Sequence, residues 1–406
     1  MATASEKTVT SIDRDNLRAT VEALGAIDRP ASSPGEREAA EWIAARLQEL
    51  GCDARVEEEQ TQGGYAGPIA ALCALGVAAG LAALTRRGRL LGGVAGAAAA
   101  AAIADDASNG PRLVRGAMQQ RRPTWNVVAQ AGDRDAEGTL VVLAHHDAAP
   151  TGRIFDQTLQ HAFAEAFPGI VERMDTAIPL WWPVVGGPGL VALGAARRSR
   201  RLAAAGAVLS ASSAASFIDI ARSPTVPGAN DNLTAVAVLV AVARALNERP
   251  LQGLRVLLVS CGSEETLQGG IRPFARRHFP SLDRERTSVL NLDTVGSPRL
   301  VMLEGEGPLV MEDYHDRTFR DLVAQAASDA RVRMRRGMRA RASTDSVIPS
   351  RAGYPTATLT SVDRAKALSN YHQMTDLPEN VDYGTVAEAA VVTERVARAL
   401  AAEARR

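Results

Sequence analysis

The sequence predicts an α/β fold: a mixed, largely parallel sheet sandwiched by helices and interrupted by two apolar helical hairpins. Three observations predict it. Short aliphatic runs such as TLVVLAH (139–145) alternate with longer segments of helical periodicity, as in a sheet covered on both faces. Two stretches, 65–104 and 177–219, abandon that alternation for long uncharged runs folded about basic turns. At 406 residues, 46% of them hydrophobic, the chain is long enough for a large core.

The elements follow in order. Residues 12–28 and 35–50 read as amphipathic helices. The second opens at SSPGERE, with Ser33 as cap and Pro34 at the first position, and Gly51 ends it. A strand, ARVEEEQ, comes next. Then YAGPIAALCALGVAAGLAAL (65–84) and LLGGVAGAAAAAAIA (90–104) flank a loop carrying Arg86, Arg87 and Arg89. Strands resume at 125–132 and 139–145. A second apolar pair surrounds RRSRR, its first arm broken by Pro and Gly and its second Ser-rich. Beyond 228 the pattern is helix 232–247, strand 254–261, helix 267–278, strand 288–295, helix 314–331, strand 355–360 and helix 383–404. The organisation expected is one discontinuous domain, 1–64, 105–176 and 220–406, with insertions at 65–104 and 177–219.

A membrane-crossing helix needs about 20 mostly apolar residues, and 65–84 meets that length. Trp181 and Trp182 suit an interfacial aromatic belt. The insertions are therefore expected to associate with a membrane; the competing expectation is a set of Ala-rich helices buried in a lid. The basic tips argue for a cytoplasmic tip, but Arg112, Arg115, Arg121 and Arg122 flank the first hairpin on the domain side, and Arg173 and Arg222 the second. That nearly cancels the asymmetry. MATASEKTVTSIDRD has neither a basic n-region nor an apolar h-region, which tips the expectation slightly toward a cytoplasmic catalytic domain.

Charge excludes one class of function. Lys plus Arg and Asp plus Glu are 46 each, without the basic excess of a general nucleic-acid binder. The three cysteines, Cys52, Cys73 and Cys261, have no metal-ligand spacing and an odd count, so they read as buried thiols.

The chemistry lies in loops that follow apolar strands, where open α/β sheets place their sites. His145 ends one strand. Extended-chain alternation puts Asp147 on the same side and His146 on the other. A ligating histidine usually donates its second ring N–H to a carboxylate, so His145 suits a metal and Asp147 its orientation. Asp231 lies in PGANDNL just ahead of a helix, where it can cap that helix or offer one oxygen to each of two ions. In VLLVSCGSEETLQGG a buried strand runs into Glu264 and Glu265, whose carboxylates repel unless a cation or a shared proton intervenes. One can ligate while the other accepts a proton from an activated water. Asp293, in VLNLDTVGS, is an acid at a depth that demands a partner. His372, in SNYHQMTDLPE, is the remaining candidate.

In this order the set reads His-x-Asp, Gly-Ala-x-Asp-Asn, Glu-Glu, Asn-x-Asp-x-x-Gly and Tyr-His-x-x-x-Asp. It resembles the di-zinc aminopeptidases of clan MH, which include the bacterial leucyl aminopeptidases and aminopeptidase Y. The likeness spans roughly 12–60, 125–152 and 226–404. It implies a zinc-exopeptidase-like fold, a peptide substrate and two zinc ions. One ion would be held by His145 and Asp293, the other by Glu265 and His372, with Asp231 bridging. Glu264 is implied as general base and Asp147 as the His145 orienter. A carboxypeptidase or dipeptidase on the same core is the alternative. A non-catalytic membrane receptor is a weaker one, because no ligand of the set is missing. A glutaminyl cyclase fits less well, those relatives using one zinc. Two departures stand out. Thr344-Asp345-Ser346 replaces the family's usual Ser-Asp-His, leaving the role of Asp345 open. Both apolar insertions are additions, and the second, between Asp147 and Asp231, is expected to approach the site. Oligomeric state is not encoded in any motif.

Overall fold

The structure, a computed structural model, describes residues 12–405; the N-terminal stretch read as lacking a leader lies mostly outside them. The chain runs through α1 (Arg14–Gly25), α2 (Pro34–Glu49), β1 (Asp53–Gln62), α3 (Ala66–Ala83), α4 (Arg89–Ala107), α5 (Leu113–Met118), β2 (Arg121–Gly132) and β3 (Thr139–His145). Then come α6 (Thr158–Ala166), α7 (Pro168–Arg173), α8 (Trp181–Ala196), α9 (Arg200–Arg222), α10 (Thr234–Glu248), β4 (Arg255–Cys261), α11 (Ile271–His278) and β5 (Thr287–Leu292). It closes with β6 (Arg299–Glu306), β7 (Glu312–Asp313), α12 (Arg317–Asp329), β8 (Arg335–Ala340), α13 (Val347–Arg351), β9 (Thr356–Val362) and α14 (Tyr383–Glu403).

Among the described residues nine strands form one mixed sheet, ordered β1-β2-β4-β3-β5-β9-β6-β7 with β8 beside β6. Its centre, β4-β3-β5-β9, is parallel, and antiparallel strands flank it. Every residue of β3 is buried, as expected of a strand covered on both faces. Its side chains alternate. Leu140, Val142 and Ala144 face the larger core with α1, α2, α10, α12 and α14, while Val141 and Leu143 face Phe274 of α11. The Ser33 hydroxyl accepts the Glu36 N–H at 3.1 Å and Pro34 opens α2, as the sequence predicts. All three cysteines are buried and free.

Predicted boundaries shift by up to about four residues, as at the start of β2. The helix expected from 267 begins at Ile271, because Leu267 and Gln268 adopt left-handed backbone (φ +66° and +60°) that no helix continues.

The two insertions do not stand apart. α3–α4 and α8–α9 each fold back on themselves and pack together as a four-helix bundle. Small residues let the backbones approach: a Cβ at Gly206 would lie 2.6 Å from the Gly187 carbonyl oxygen, and one at Gly92 only 2.3 Å from that of Ala79. Near the sheet the bundle core holds Ile69, Leu72, Ile103, Val184 and Phe217, and toward the tips it thins to Ala79, Ala83, Val191, Ala195 and Ala203. The outside stays apolar, with Leu75, Leu81, Leu91, Val94 and Val208 exposed and Leu90 80% exposed. Exposed apolar side chains gathered on one bundle mark an interaction surface. α3, α4 and α9 are each long and apolar enough to cross a membrane. A fourth such stretch, Ala229–Glu248, contains α10 and is 89% buried in the catalytic core, so its apolarity has another cause.

Candidate metal centre

Three adjacent parallel strands deliver most of the centre. His145 is the last residue of β3, Glu264 and Glu265 form the turn after β4, and Asp293 directly follows β5. His372 lies in the loop after β9, and Asp231 in the turn Ala229–Leu233 ahead of α10. All six residues predicted to ligate or act as base converge.

Asp231 stands between the two imidazoles. Its Oδ1 is 3.3 Å from His145 Nε2 and its Oδ2 is 3.4 Å from His372 Nε2. Glu265 Oε2 lies 3.3 Å from His372 Nε2, and Glu264 Oε2 lies 3.9 Å from His145 Nε2. Candidate donor atoms gather into three trios: His145–Asp231–Asp293, Asp231–Glu265–His372, and His145–Glu264–Glu265. The first two share Asp231. No side chain caps α10; Asp231 is turned into the centre instead, which decides between the two uses the sequence allowed.

Electrostatics shows what the protein alone lacks. Burial raises Glu264 and Glu265, and Asp293 is pushed up to about 6, each reinforced by neighbouring carboxylates. Burial alone would lower both imidazoles. The surrounding acids reverse that, taking His145 well above its usual range and His372 to about 10. Asp231 goes the other way, held low by the two histidines despite its burial. So many buried acids around two imidazoles make a negative pocket that calls for cations. Neither ring nitrogen of His372 has a hydrogen-bond partner, nor does His145 Nδ1. Nitrogen and carboxylate donors in trios suit zinc.

The supporting contacts refine the sequence reading. Asp147 Oδ1 approaches His145 Nδ1 at 3.4 Å, a long contact for an orienting hydrogen bond. Its firmer bonds are to the backbone: it accepts the N–H groups of Glu264 (2.9 Å) and Glu265 (3.0 Å), so it places the glutamate turn as well. Asp376 does the same for the Asp231 turn, accepting from Asn230 N–H (2.7 Å) and Asp231 N–H (3.1 Å). Sequence reasoning assigned Asp376 no role, although it ends the Tyr-His-x-x-x-Asp motif. Arg29, fully buried, donates to the carbonyls of His146, Pro227 and Gly228 and ties the two loops together. Glu36, three residues after the Ser33 cap, reads as half of a capping box. Its carboxylate instead accepts from Thr124 and from Ser263, next to Glu264.

Asp345 is buried, with neither carboxylate oxygen hydrogen-bonded. Burial, then the charges of Asp147 and Asp293, push it up to about 7 against the pull of His145, so it belongs to the same pocket. Three other histidines are engaged outside the centre: His146 with Ser260, His161 with Asp363 and His278 with Glu57. Segment 151–156 after β3 reaches the site, with the Phe155 ring 4.4 Å from that of His372. The sheet end of the bundle is close too. Tyr65, Trp181 and Phe217 form a ring cluster, and burial together with Glu265 and Glu264 raises the Tyr65 phenol.

Residues 205–397 match the model of Peptidase family M28. That segment, a little under half of the chain, is similar to the family M28 peptidases. All the candidate ligands but His145 lie within the matched M28 segment; His145 and Asp147 precede it. No curated protein matches the chain. Among solved structures, the fold is similar to that of an aminopeptidase from Aneurinibacillus sp. strain AM-1, at 14% identity and a TM-score of 0.54 over 95% of this chain and 93% of that one. A Zn-dependent exopeptidase from Parabacteroides distasonis gives 13% identity and a TM-score of 0.54 over 96% and 99%. A glutaminyl cyclase from Bacteroides thetaiotaomicron, bound to N-acetylhistamine, gives 12% identity and a TM-score of 0.56 over 96% and 99%. At such identities the likeness is one of fold.

Proposed function

We propose that the chain is a zinc-dependent exopeptidase that removes residues from the N-terminus of peptides, with a two-ion centre. The observation that carries the reading is the placement of Asp231, which turns one oxygen to His145 and the other to His372. His145, Asp231 and Asp293 would hold one zinc, and Asp231, Glu265 and His372 the other. Zinc held there supplies Lewis acidity, which lowers the pKa of a water and favours negative charge on a carbonyl oxygen. Glu264 supplies the proton transfer. Its Oε2 faces His145 across the pocket and is free of hydrogen-bonding protein partners, so it takes the proton of the attacking water and returns it to the leaving amine. Asp147 accepts the N–H groups of Glu264 and Glu265, which fixes the turn that presents the proton acceptor and the ligand to one pocket. Purified full-length protein loaded with zinc is expected to cleave aminoacyl anilides, to lose that activity to a chelator, and to leave N-blocked peptides intact. Cleavage of N-blocked peptides alone would make it a carboxypeptidase, and no chelator-sensitive cleavage of either would reject a peptidase.

We further propose that the four-helix bundle spans a membrane with its tips in the cytoplasm and the catalytic domain on the opposite face. Seven arginines, Arg86, Arg87, Arg89, Arg197, Arg198, Arg200 and Arg201, occupy the two tip loops without an acidic residue among them. The domain-side arginines that cancel this in a linear count are not equivalent. Arg112 and Arg115 are buried, paired with Asp106 and bonded to carbonyls of the glutamate turn, so they are not free charges at a bilayer surface. Seven tip arginines then stand against the exposed Arg121, Arg122, Arg173 and Arg222 on the domain side, an asymmetry that biases topology and opposes the slight cytoplasmic expectation for the catalytic face. Since the native cysteines are buried, a membrane-impermeant maleimide can report the sides. In intact cells Glu41→Cys is expected to react and Arg198→Cys only after lysis; the reverse pattern would overturn the orientation.

A further inference from the structure

Glu264 is reached from the bundle by an unbroken polar chain. One oxygen, Oε2, faces the metal pocket; the other, Oε1, accepts from Gln268 Nε2 at 2.7 Å. The second Gln268 N–H donates to the Ser343 carbonyl at 2.7 Å, and its Oε1 accepts from Asn109 Nδ2 at 2.8 Å. Asn109 Oδ1 in turn accepts from Arg112 (2.7 Å) and Arg272 (2.9 Å). Asn109 and Arg112 belong to the segment in which α4 leaves the bundle. Arg112 also donates to the Leu267 carbonyl, and Arg115 to that of Thr266 at 2.9 Å. Asp106, on the last turn of α4, faces both guanidinium groups, at 3.4 Å from Arg112 and 3.0 Å from Arg115.

The direction of this chain is forced. A guanidinium only donates, so two of them oblige Asn109 to present its oxygen to them and its NH2 to Gln268. Gln268 must then accept with its oxygen and give its NH2 to Glu264 and Ser343, both acceptors. Gln268 and Asn109 are 2% and 7% exposed, so water cannot substitute for a missing partner without a rearrangement. The left-handed backbone at Leu267 and Gln268 is what aims the amide at Glu264 instead of continuing a helix.

We propose that Gln268 and Asn109 are positioning residues for Glu264, through which the segment leaving the first hairpin sets the orientation of the base. This rests on Glu264 being the base. With Oε1 pinned by Gln268, the carboxylate cannot rotate both oxygens away from the pocket, and Oε2 stays toward the reacting water. The hairpin is then a working part of the peptidase, because a displaced α4 exit would withdraw Asn109 and release the carboxylate.

Two variants of the full-length, zinc-loaded protein test this. Gln268→Leu removes both ends of the amide at similar volume. Asn109→Asp is the sharper probe. Its carboxylate still satisfies Arg112 and Arg272, yet it offers Gln268 no donor, so the Gln268 amide must turn and point its oxygen at Glu264. Both variants are expected to lower kcat by about 10- to 100-fold, the scale of a misplaced catalytic group, with KM and bound zinc changed less than about twofold. Combining the two is expected to cost little beyond Gln268→Leu alone, as for residues in one network. Wild-type kcat in Asn109→Asp would overturn the proposal, as would loss of zinc, or a raised KM at unchanged kcat, in both variants. Glu264→Gln separates the readings. If that variant is active the base assignment itself fails; if it is inactive while Asn109→Asp and Gln268→Leu are normal, only the relay fails.

Discussion

Replacing Glu264 with Gln is expected to leave two zinc ions per chain in place and to lower kcat by about 10³-fold or more, toward the upper range for a positioned proton acceptor. The substitution preserves shape and an oxygen for the Gln268 amide, so the turn after β4 should hold its form. It removes the lone pair that accepts the proton and places an NH2 group in the pocket. Side-by-side metal analysis and steady-state kinetics check both halves. Turnover within a few-fold of wild type would mean that another group, with the buried Asp345 as a candidate, accepts the proton.

Replacing Asp231 with Ala is expected to strip the centre of both ions. The trios His145–Asp231–Asp293 and Asp231–Glu265–His372 share this residue, and its two oxygens lie 3.3 Å and 3.4 Å from the two imidazoles. The backbone of its turn is held independently by Asp376 and by the Asn232 side chain bonded to the Leu292 carbonyl, so the loop should survive the change. Losing a residue that only hydrogen-bonds to a ligand typically costs about 10- to 100-fold in metal affinity, and losing a direct, shared ligand should exceed that. His372→Ala, by contrast, removes a ligand from one trio only and should retain roughly half the zinc. Metal content after dialysis against a weak chelator distinguishes the two; full zinc in Asp231→Ala would refute a shared ligand.

Much of this centre was readable from residue order because its ligands sit where apolar strands end. The seven-residue run to His145 could only be a covered strand, and the same held for the strands before Glu264 and Asp293. Elsewhere the physics left less trace. β8, RRGMRA, lies at the margin of the sheet with mostly half-buried side chains, so no apolar alternation marks it. Helix periodicity through 267–278 concealed the left-handed turn at Leu267 and Gln268, since positive φ in non-glycine residues has no reliable sequence sign. The union of the two hairpins was invisible for a different reason. It depends on Gly and Ala faces more than a hundred residues apart, and each hairpin alone reads as merely apolar. Nor does the sequence show how Arg112 is used, because its partners, Asn109 and the Leu267 carbonyl, are brought to it by the fold.

The interleaving of bundle and sheet also dictates a biogenesis. β1 leaves the ribosome before the first hairpin, yet its only partner strand, β2, follows that hairpin. His145 emerges between the hairpins, and Asp231, Glu265, Asp293 and His372 emerge after the second. No translation intermediate that lacks α8 and α9 contains more than one of the five candidate ligands. A nascent chain therefore cannot capture zinc at a finished centre, or hydrolyse a neighbouring peptide, until all four bundle helices have been made. A complete centre waits for His372, the last of the five candidate ligands to be made.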